Sequence, residues 1–299
     1  MAEYQAFIKE LSNTEVRLDE PMGNHTSFGI GGPADVLLFP NTEEALVDAV
    51  TKVRQAGLRH YIIGNGTNVL VRDEGIRGVV ISPERLSHVM VEETSLTAGA
   101  GAALLKIAAK ALDYELTGFA FAAGIPGSVG GAVFMNAGAY GGQMADVVAS
   151  TRYLDGGGQI REISGAAHQF GYRRSFFSAH PECVILETRI FLSRGERTAI
   201  LDEMNRLAQK RREKQPLEFK SAGSTFKRPE GQFAGRLIEE AGLKGLRVGD
   251  AQVSEKHAGF VINLGKASCR DVLTLVETIK DRVYRTSGIL LELEVRVLE

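Results

Sequence analysis

The chain has 299 residues, 44% apolar and 24% charged, a balance that gives room for two ordinary domains and excludes disorder as the main state. A formal net charge of −2 argues against a broad nucleic-acid surface. The two cysteines, Cys183 and Cys269, are far apart without CxxC spacing, so a disulfide scaffold and a cysteine-rich zinc site are excluded and a reducing, cytoplasmic compartment is expected.

The N-terminal residues are mixed and charged and read as neither signal nor transit sequence. Residues 36–40 (VLLFP) predict a strand ending at Pro40. Asn41 then predicts a helix cap with Glu44 at its third position, and Ala45, Leu46, Ala49, Val50 and Val53 form one apolar stripe. Gly57 ends that helix, His60–Ile63 is a short buried strand, and GNGTN (64–68) leads into strands at 69–71 and 78–82. This β-α-β order indicates an α/β domain. Residues 95–98 extend into GAGA, and a helix follows over about 102–112.

From Leu116 to Ala145 no residue carries a formal charge. Eight glycines, Pro126 and Asn136 interrupt this run, so it lacks the roughly 20 continuous helix formers that a membrane span needs. It reads instead as buried loop and short helix. Beyond it come strands near 147–154, 159–163 and 183–192, and a boundary at Arg194-Gly195-Glu196. The last third predicts a helix over 198–214 stopped by Gln215-Pro216, a loop at 221–229, a helix near 233–241 and a strand at 259–263. A helix over 270–286 and a strand over 289–298 close the chain. Two domains divided near residue 195 are expected.

Glycine segments without acidic neighbours suit a diphosphate, because they allow positive φ and expose N–H groups; close packing with small residues explains them equally well. The GxG fragments at 29–31, 64–66 and 99–101 each fail the dinucleotide fingerprint in spacing or in the element that follows, and no GxxxxGK[ST] occurs. A bound dinucleotide would therefore need several separate glycine loops acting together. Arg173 and Arg174, set between aromatics, read as surface ion pairing or as a two-pronged clamp for carboxylate or phosphate. Ser224 lies in a turn-like sequence; a lone serine could give a proton only to a strongly basic centre such as a carbanion. In the last strand Glu292, Glu294 and Arg296 alternate with apolar residues, which fits a solvated face or one carboxylate aimed into a cleft. Lys214 and His257, taken singly, are surface or polar-core residues, and the six histidines show no metal spacing, so no metal is expected.

Taken together, NHTSFGIGGPA (24–34), IIGNGTNVL (62–70), GIPGSVGGAVFMNAGAYG (124–141), GYRRS (171–175), AGSTFKRP (222–229) and LELEVR (291–296) resemble, in order, the UDP-N-acetylenolpyruvoylglucosamine reductase (UDP-N-acetylmuramate dehydrogenase) family. The first half is also similar to the wider superfamily that binds FAD between two small α/β lobes. The resemblance implies an α+β protein. Its parts would be an N-terminal segment (1–23), a two-lobed FAD-binding domain (24–195, lobes about 24–82 and 83–195) and a smaller mixed α/β substrate-binding domain (196–299). It implies an oxidoreductase of peptidoglycan synthesis in which NADPH reduces non-covalently bound FAD. Hydride then passes to the enolpyruvyl ether of UDP-N-acetylglucosamine-enolpyruvate, and C2 takes a proton.

By the same resemblance Ile63, Gly64, Asn65, Gly66, Thr67 and Asn68 hold the cofactor, as do Gly124, Ile125, Pro126, Gly127, Ser128, Gly130, Gly131, Asn136 and Ala137. Arg173 and Glu294 flank the substrate carboxylate, Glu294 protonated or sharing a proton, and Ser224 is the proton donor to C2. Tyr172, Lys214, Arg228 and His257 contact the substrate. The chain looks like the short form of the family, since the insertion that brings a tyrosine over the substrate in longer members has no counterpart here. No nucleic-acid, membrane or obligate protein partner is implied. A flavin oxidase or dehydrogenase of a sugar or hydroxy acid is the alternative within the superfamily. It would not need Arg173, Ser224 and Glu294 together.

Overall fold

A computed structural model describes residues 2–299, which divide into two compact units. The first holds residues up to 18, 36–65 and 78–211; the second holds 19–35, 66–77 and 212–299. The chain thus passes between units several times, once inside the GNGTN segment, between Asn65 and Gly66.

The first unit begins with helix α1 (Ala2–Ile8) and carries a four-stranded sheet ordered Thr14–Pro21, Pro33–Pro40, Ile76–Ile81, His60–Ile62. Helix α2 (Glu43–Gln55) packs its apolar stripe on that sheet: Leu46, Ala49, Val50 and Val53 are buried with Val36, Leu38, Val79 and Ile81. Its cap is Thr42, whose hydroxyl accepts the Ala45 N–H, rather than the expected Asn41, whose side-chain amide donates to Asn13.

A second sheet in this unit is antiparallel throughout, in the order Ile160–Ser164, Val148–Leu154, Val184–Phe191, Ser95–Gly99, Val89–Glu92. Against it lie α3 (Leu104–Asp113) and α4 (Val129–Met135), and the core between them contains Leu96, Ile107, Phe119, Val129, Val133 and Phe177. Full burial of each large side chain there contributes about 1.5–3 kcal/mol. The charge-free run therefore consists of loop, two-residue strands, short 3-10 turns and α4; among the described residues no helix is long and apolar enough to cross a membrane. Helix α5 (Phe176–Ala179) and the long α6 (Arg197–Lys214) follow.

The second unit is built on an antiparallel sheet ordered Lys220–Ser224, Phe260–Asn263, Ala251–Val253, Arg247–Val248, with α7 (Ala234–Glu240) and α8 (Cys269–Ser287) packed on it. Ser268 caps α8 in a reciprocal box with Asp271, and Gly288 ends it in the left-handed conformation. Residues 220–224, expected as loop, are strand because pairing to 260–263 outweighs their turn-like composition; a bulge between Ser221 and Ser224 accommodates Gly223 at φ +76°. The expected terminal strand is shorter, with only Arg296–Leu298 laddered, parallel to Val69–Val71. Leu291 and Val295 still turn inward as the alternation predicts.

Candidate active site

In the first unit two glycine segments meet. The Asn65 side-chain amide donates to the Pro126 carbonyl at 3.0 Å, and a Cβ on Gly64 would overlap the Ser128 hydroxyl. Ser128 caps α4 and accepts the Gly131 N–H. Leu104 donates to the Gly127 carbonyl at 3.0 Å. Val129 and Gly130 give their N–H groups to Ala102 and Ala100 at 2.8 and 2.9 Å, so what Gly130 supplies is close backbone approach, with its missing Cβ 3.1 Å from the Ala100 carbonyl. Ile63 is held by Ile81 and Ile125 by Ala122 through main-chain bonds.

Asn136 ends α4 at φ +43° and is buried. Its amide nitrogen donates to the Gln143 side chain (3.1 Å) and the Gly171 carbonyl (3.0 Å), and its oxygen accepts the Ala145 N–H (2.9 Å). Ala137 closes the same helix end through the Ala132 carbonyl. Asn136 thereby ties the glycine segment to the turn that presents Arg173. In that turn Gly171 and Arg174 exchange main-chain bonds, and Arg173 sits between them at φ +54°, a conformation costing an L residue about 1–2 kcal/mol. Ser175 anchors the turn, donating its hydroxyl to the Phe134 carbonyl at 2.8 Å. The Arg173 guanidinium lies 5.2 Å from the centre of the exposed Tyr172 ring, whereas Arg174 folds back against Gly171.

The second unit gathers another set. A Cβ on Gly66 would overlap the His25 carbonyl, and the Gly66 carbonyl accepts the Ser27 N–H at 3.0 Å. The Ser27 hydroxyl donates to the Ser221 carbonyl at 2.7 Å, so residues 24–28 bridge the GNGTN segment and the strand carrying Ser224. Asn68 donates its side-chain amide to the Glu294 carbonyl (3.2 Å), and Arg296 donates to the Asn68 carbonyl (3.0 Å). Glu294 in turn donates its N–H to the carbonyl of Thr225, the neighbour of Ser224, at 2.9 Å. The buried Thr225 hydroxyl accepts the Val261 N–H. Main-chain bonding thus joins the segment that carries Glu294 to Thr225, next to Ser224, and to Asn68 of the GNGTN segment. The Ser224 hydroxyl is exposed and has no hydrogen-bond partner among the described residues.

His257 is half-buried, and its Nδ1 accepts the Gly259 N–H at 3.1 Å, so the neutral ring carries its proton on Nε2. Burial lowers its pKa, and the charges of Lys244 and Lys214 add to this. Lys214, exposed at the end of α6, therefore faces the same region as His257. The Arg228 guanidinium stacks 4.5 Å over the exposed Phe233 ring.

Arg173 and Tyr172 belong to the first unit; Ser224, Glu294, Lys214, Arg228 and His257 belong to the second. The sequence alone did not single out Ser27 and Thr225, whose roles are long-range bonds with no local signature. Among the described residues no group of three or more His, Cys, Asp or Glu could hold a metal ion. The cross-linked glycine segments are free of acidic side chains, which suits a flavin dinucleotide, while the bare Cα atoms of Gly64 and Gly130 make room for Ser128 and Ala100.

Known proteins bear on this arrangement directly. Residues 34–164 match a model described as "FAD binding domain", and residues 215–298 match the C-terminal domain of UDP-N-acetylenolpyruvoylglucosamine reductase. UDP-N-acetylenolpyruvoylglucosamine reductase of Clostridioides difficile is 49% identical over 297 residues, covering 99% of this chain and 97% of that protein. The reductase of Caldanaerobacter subterraneus is 49% identical over 288 residues, covering 96% and 95%. A crystal structure of the Thermus caldophilus reductase superimposes with a TM-score of 0.80 at 37% identity, covering 96% of this chain and 99% of that one. With 49% identity to the first two of these reductases over nearly the whole chain and the same mixed α/β frame, the chain belongs to the UDP-N-acetylenolpyruvoylglucosamine reductase family.

Proposed function

We infer that the chain is an NADPH-dependent FAD enzyme that reduces the enolpyruvyl ether of UDP-N-acetylglucosamine-enolpyruvate to UDP-N-acetylmuramate for peptidoglycan synthesis, acting in the cytoplasm. Family membership over nearly the whole chain supports this activity over the oxidase alternative. The observation that supports the residue assignment is the bond chain Asn68–Glu294–Thr225, which joins the main chain at Glu294 to that of the residue next to Ser224 and to the GNGTN segment.

Residues 63–68, 124–128, Gly130, Gly131, Asn136 and Ala137 hold FAD, and the substrate contacts come from Tyr172 and Arg173 together with residues of 196–299. Bound FAD supplies hydride chemistry, accepting from NADPH and giving to the alkene. Arg173 meets the substrate carboxylate; its left-handed backbone, fixed through Gly171 and Ser175, sets the direction in which the side chain leaves the turn. Glu294 contacts that carboxylate when protonated or sharing a proton, since two bare carboxylates would repel. Ser224 gives its proton to C2, and its exposed, unbonded hydroxyl is available to do so. Lys214 and the Nε2–H of His257 donate toward the nucleotide-sugar phosphates, and Tyr172 and Arg228 complete the substrate contacts.

The test is a purified sample with a flavin absorption spectrum, bleached by NADPH without oxygen and restored by the enolpyruvyl UDP-sugar. A colourless protein that cannot be reconstituted with FAD overturns the reading. So does reduced flavin that only oxygen reoxidises.

A further inference from the structure

Arg211 lies in the last turn of α6. A basic residue there ordinarily donates to the final helix carbonyls or extends into water. Arg211 does neither: it is half-buried, and among the described residues its guanidinium has no hydrogen-bond or ion-pair partner. Arg152, another arginine of the same unit, is paired with both Glu43 and Glu187. Burial lowers the Arg211 pKa, opposed only by Tyr140, yet a guanidinium remains charged at neutral pH. An uncompensated charge in partly dry surroundings is unfavourable, and rules of this kind are broken chiefly where a ligand completes the arrangement.

The position of the side chain says which ligand. Arg211 Cδ and Nη1 each come within 3.2 Å of where a Cβ on Gly124 would stand. Gly124 opens the segment that Asn65 and Gly64 join through Pro126 and Ser128. No acidic residue occurs between 116 and 145 to serve as a counter-ion from that segment. Gly124 has no positive φ, so its lack of a side chain is a matter of room for the arginine rather than of backbone freedom.

We propose that Arg211 is the counter-charge for a phosphate of a bound nucleotide, with Gly124 kept bare so that the guanidinium reaches it. This rests on the reading that the glycine segments hold FAD. Both FAD and the UDP-sugar carry a diphosphate; contact with the flavin segment favours FAD.

Apoprotein of the wild type, Arg211→Met and Gly124→Ala is titrated with FAD by flavin fluorescence and with UDP-N-acetylglucosamine after FAD loading, and each apoprotein is melted. Loss of a charge-assisted contact predicts about 10- to 100-fold weaker FAD binding for Arg211→Met, with a smaller loss in the same direction for Gly124→Ala. The Arg211→Met apoprotein melts no lower than wild type, because an unpaired charge has been replaced by an apolar chain. Wild-type FAD affinity with at least 10-fold weaker UDP-sugar binding assigns the phosphate to the substrate and keeps the counter-charge role. Unchanged affinity for both ligands overturns the inference, whether or not the melting point falls. Wild-type protein that binds no FAD removes the reading beneath it, a result distinct from a failure confined to Arg211.

Discussion

Gly64 and Gly66 lie two residues apart in one motif and carry different constraints. At Gly66 φ is +62°, and a Cβ would meet the His25 carbonyl and the Thr26 backbone, which cannot rotate away. At Gly64 the obstacle is the Ser128 hydroxyl, and φ is unexceptional. Gly66→Ala should therefore cost more than the roughly 1–2 kcal/mol of a left-handed alanine, whereas Gly64→Ala should cost only about 1 kcal/mol, from the displaced Ser128 cap, and weaken FAD binding. Calorimetry and flavin titration separate the two; equal melting points would remove the distinction. Ser224→Ala should move the melting point little, since the hydroxyl is exposed and unbonded. With NADPH in stopped flow, flavin reduction should keep its rate, while reoxidation by the enolpyruvyl UDP-sugar slows about 10²- to 10⁴-fold. Equal losses in both half-reactions would make Ser224 a binding or folding residue. The motif made Ser224 a candidate, but sequence does not display the bond from Glu294 to Thr225, because it joins residues far apart in the chain.

Short-range patterns revealed elements whose stability is local. The stripe of α2 and the helix over 270–286 are written in nearby residues, and both helices form there. Elements made by distant pairing were harder to read: the strand Val89–Glu92 is an edge without a full apolar face, and Lys220–Ser224 has the composition of a turn. The end of α4 shows the same limit. Asn136 reads as a loop residue, yet its buried amide links that end to Gly171, Gln143 and Ala145. Asn136→Gly keeps the left-handed backbone and loses those bonds, whereas Asn136→Ala loses both. If the bonds carry the effect, both variants should destabilise by about 2–4 kcal/mol, with alanine worse by about 1. The freed Arg173 turn should also raise KM for the UDP-sugar more than it weakens FAD binding. Wild-type stability in Asn136→Gly would reduce the residue to a backbone adaptor.

Across the whole chain, burial sets how stability responds to acid. His60, His168 and His257 each have a pKa lowered first by burial, and His168, fully enclosed, bonds Thr151 through Nε2 at 2.9 Å. The unfolded chain therefore binds more protons than the folded one as pH drops below about 6.5, and stability must rise with pH across that range. The contribution of the three rings is complete above the unfolded pKa and is lost as pH falls toward their folded values. Partly exposed carboxylates such as Glu15, held down by Arg17 and Arg85, and Asp155, held down by Arg161, have their effect at lower pH and do not mask it. The melting temperature should fall from about pH 7.5 to 5.5, by roughly 2–4 °C for each kcal/mol lost. His257→Gln should make that slope shallower, because it removes one of the three groups while its amide can still accept the Gly259 N–H. A melting temperature that stays flat or rises on acidification would mean that the rings are already protonated in the fold. In that case the Nε2–H of His257 could not be assigned from a neutral ring.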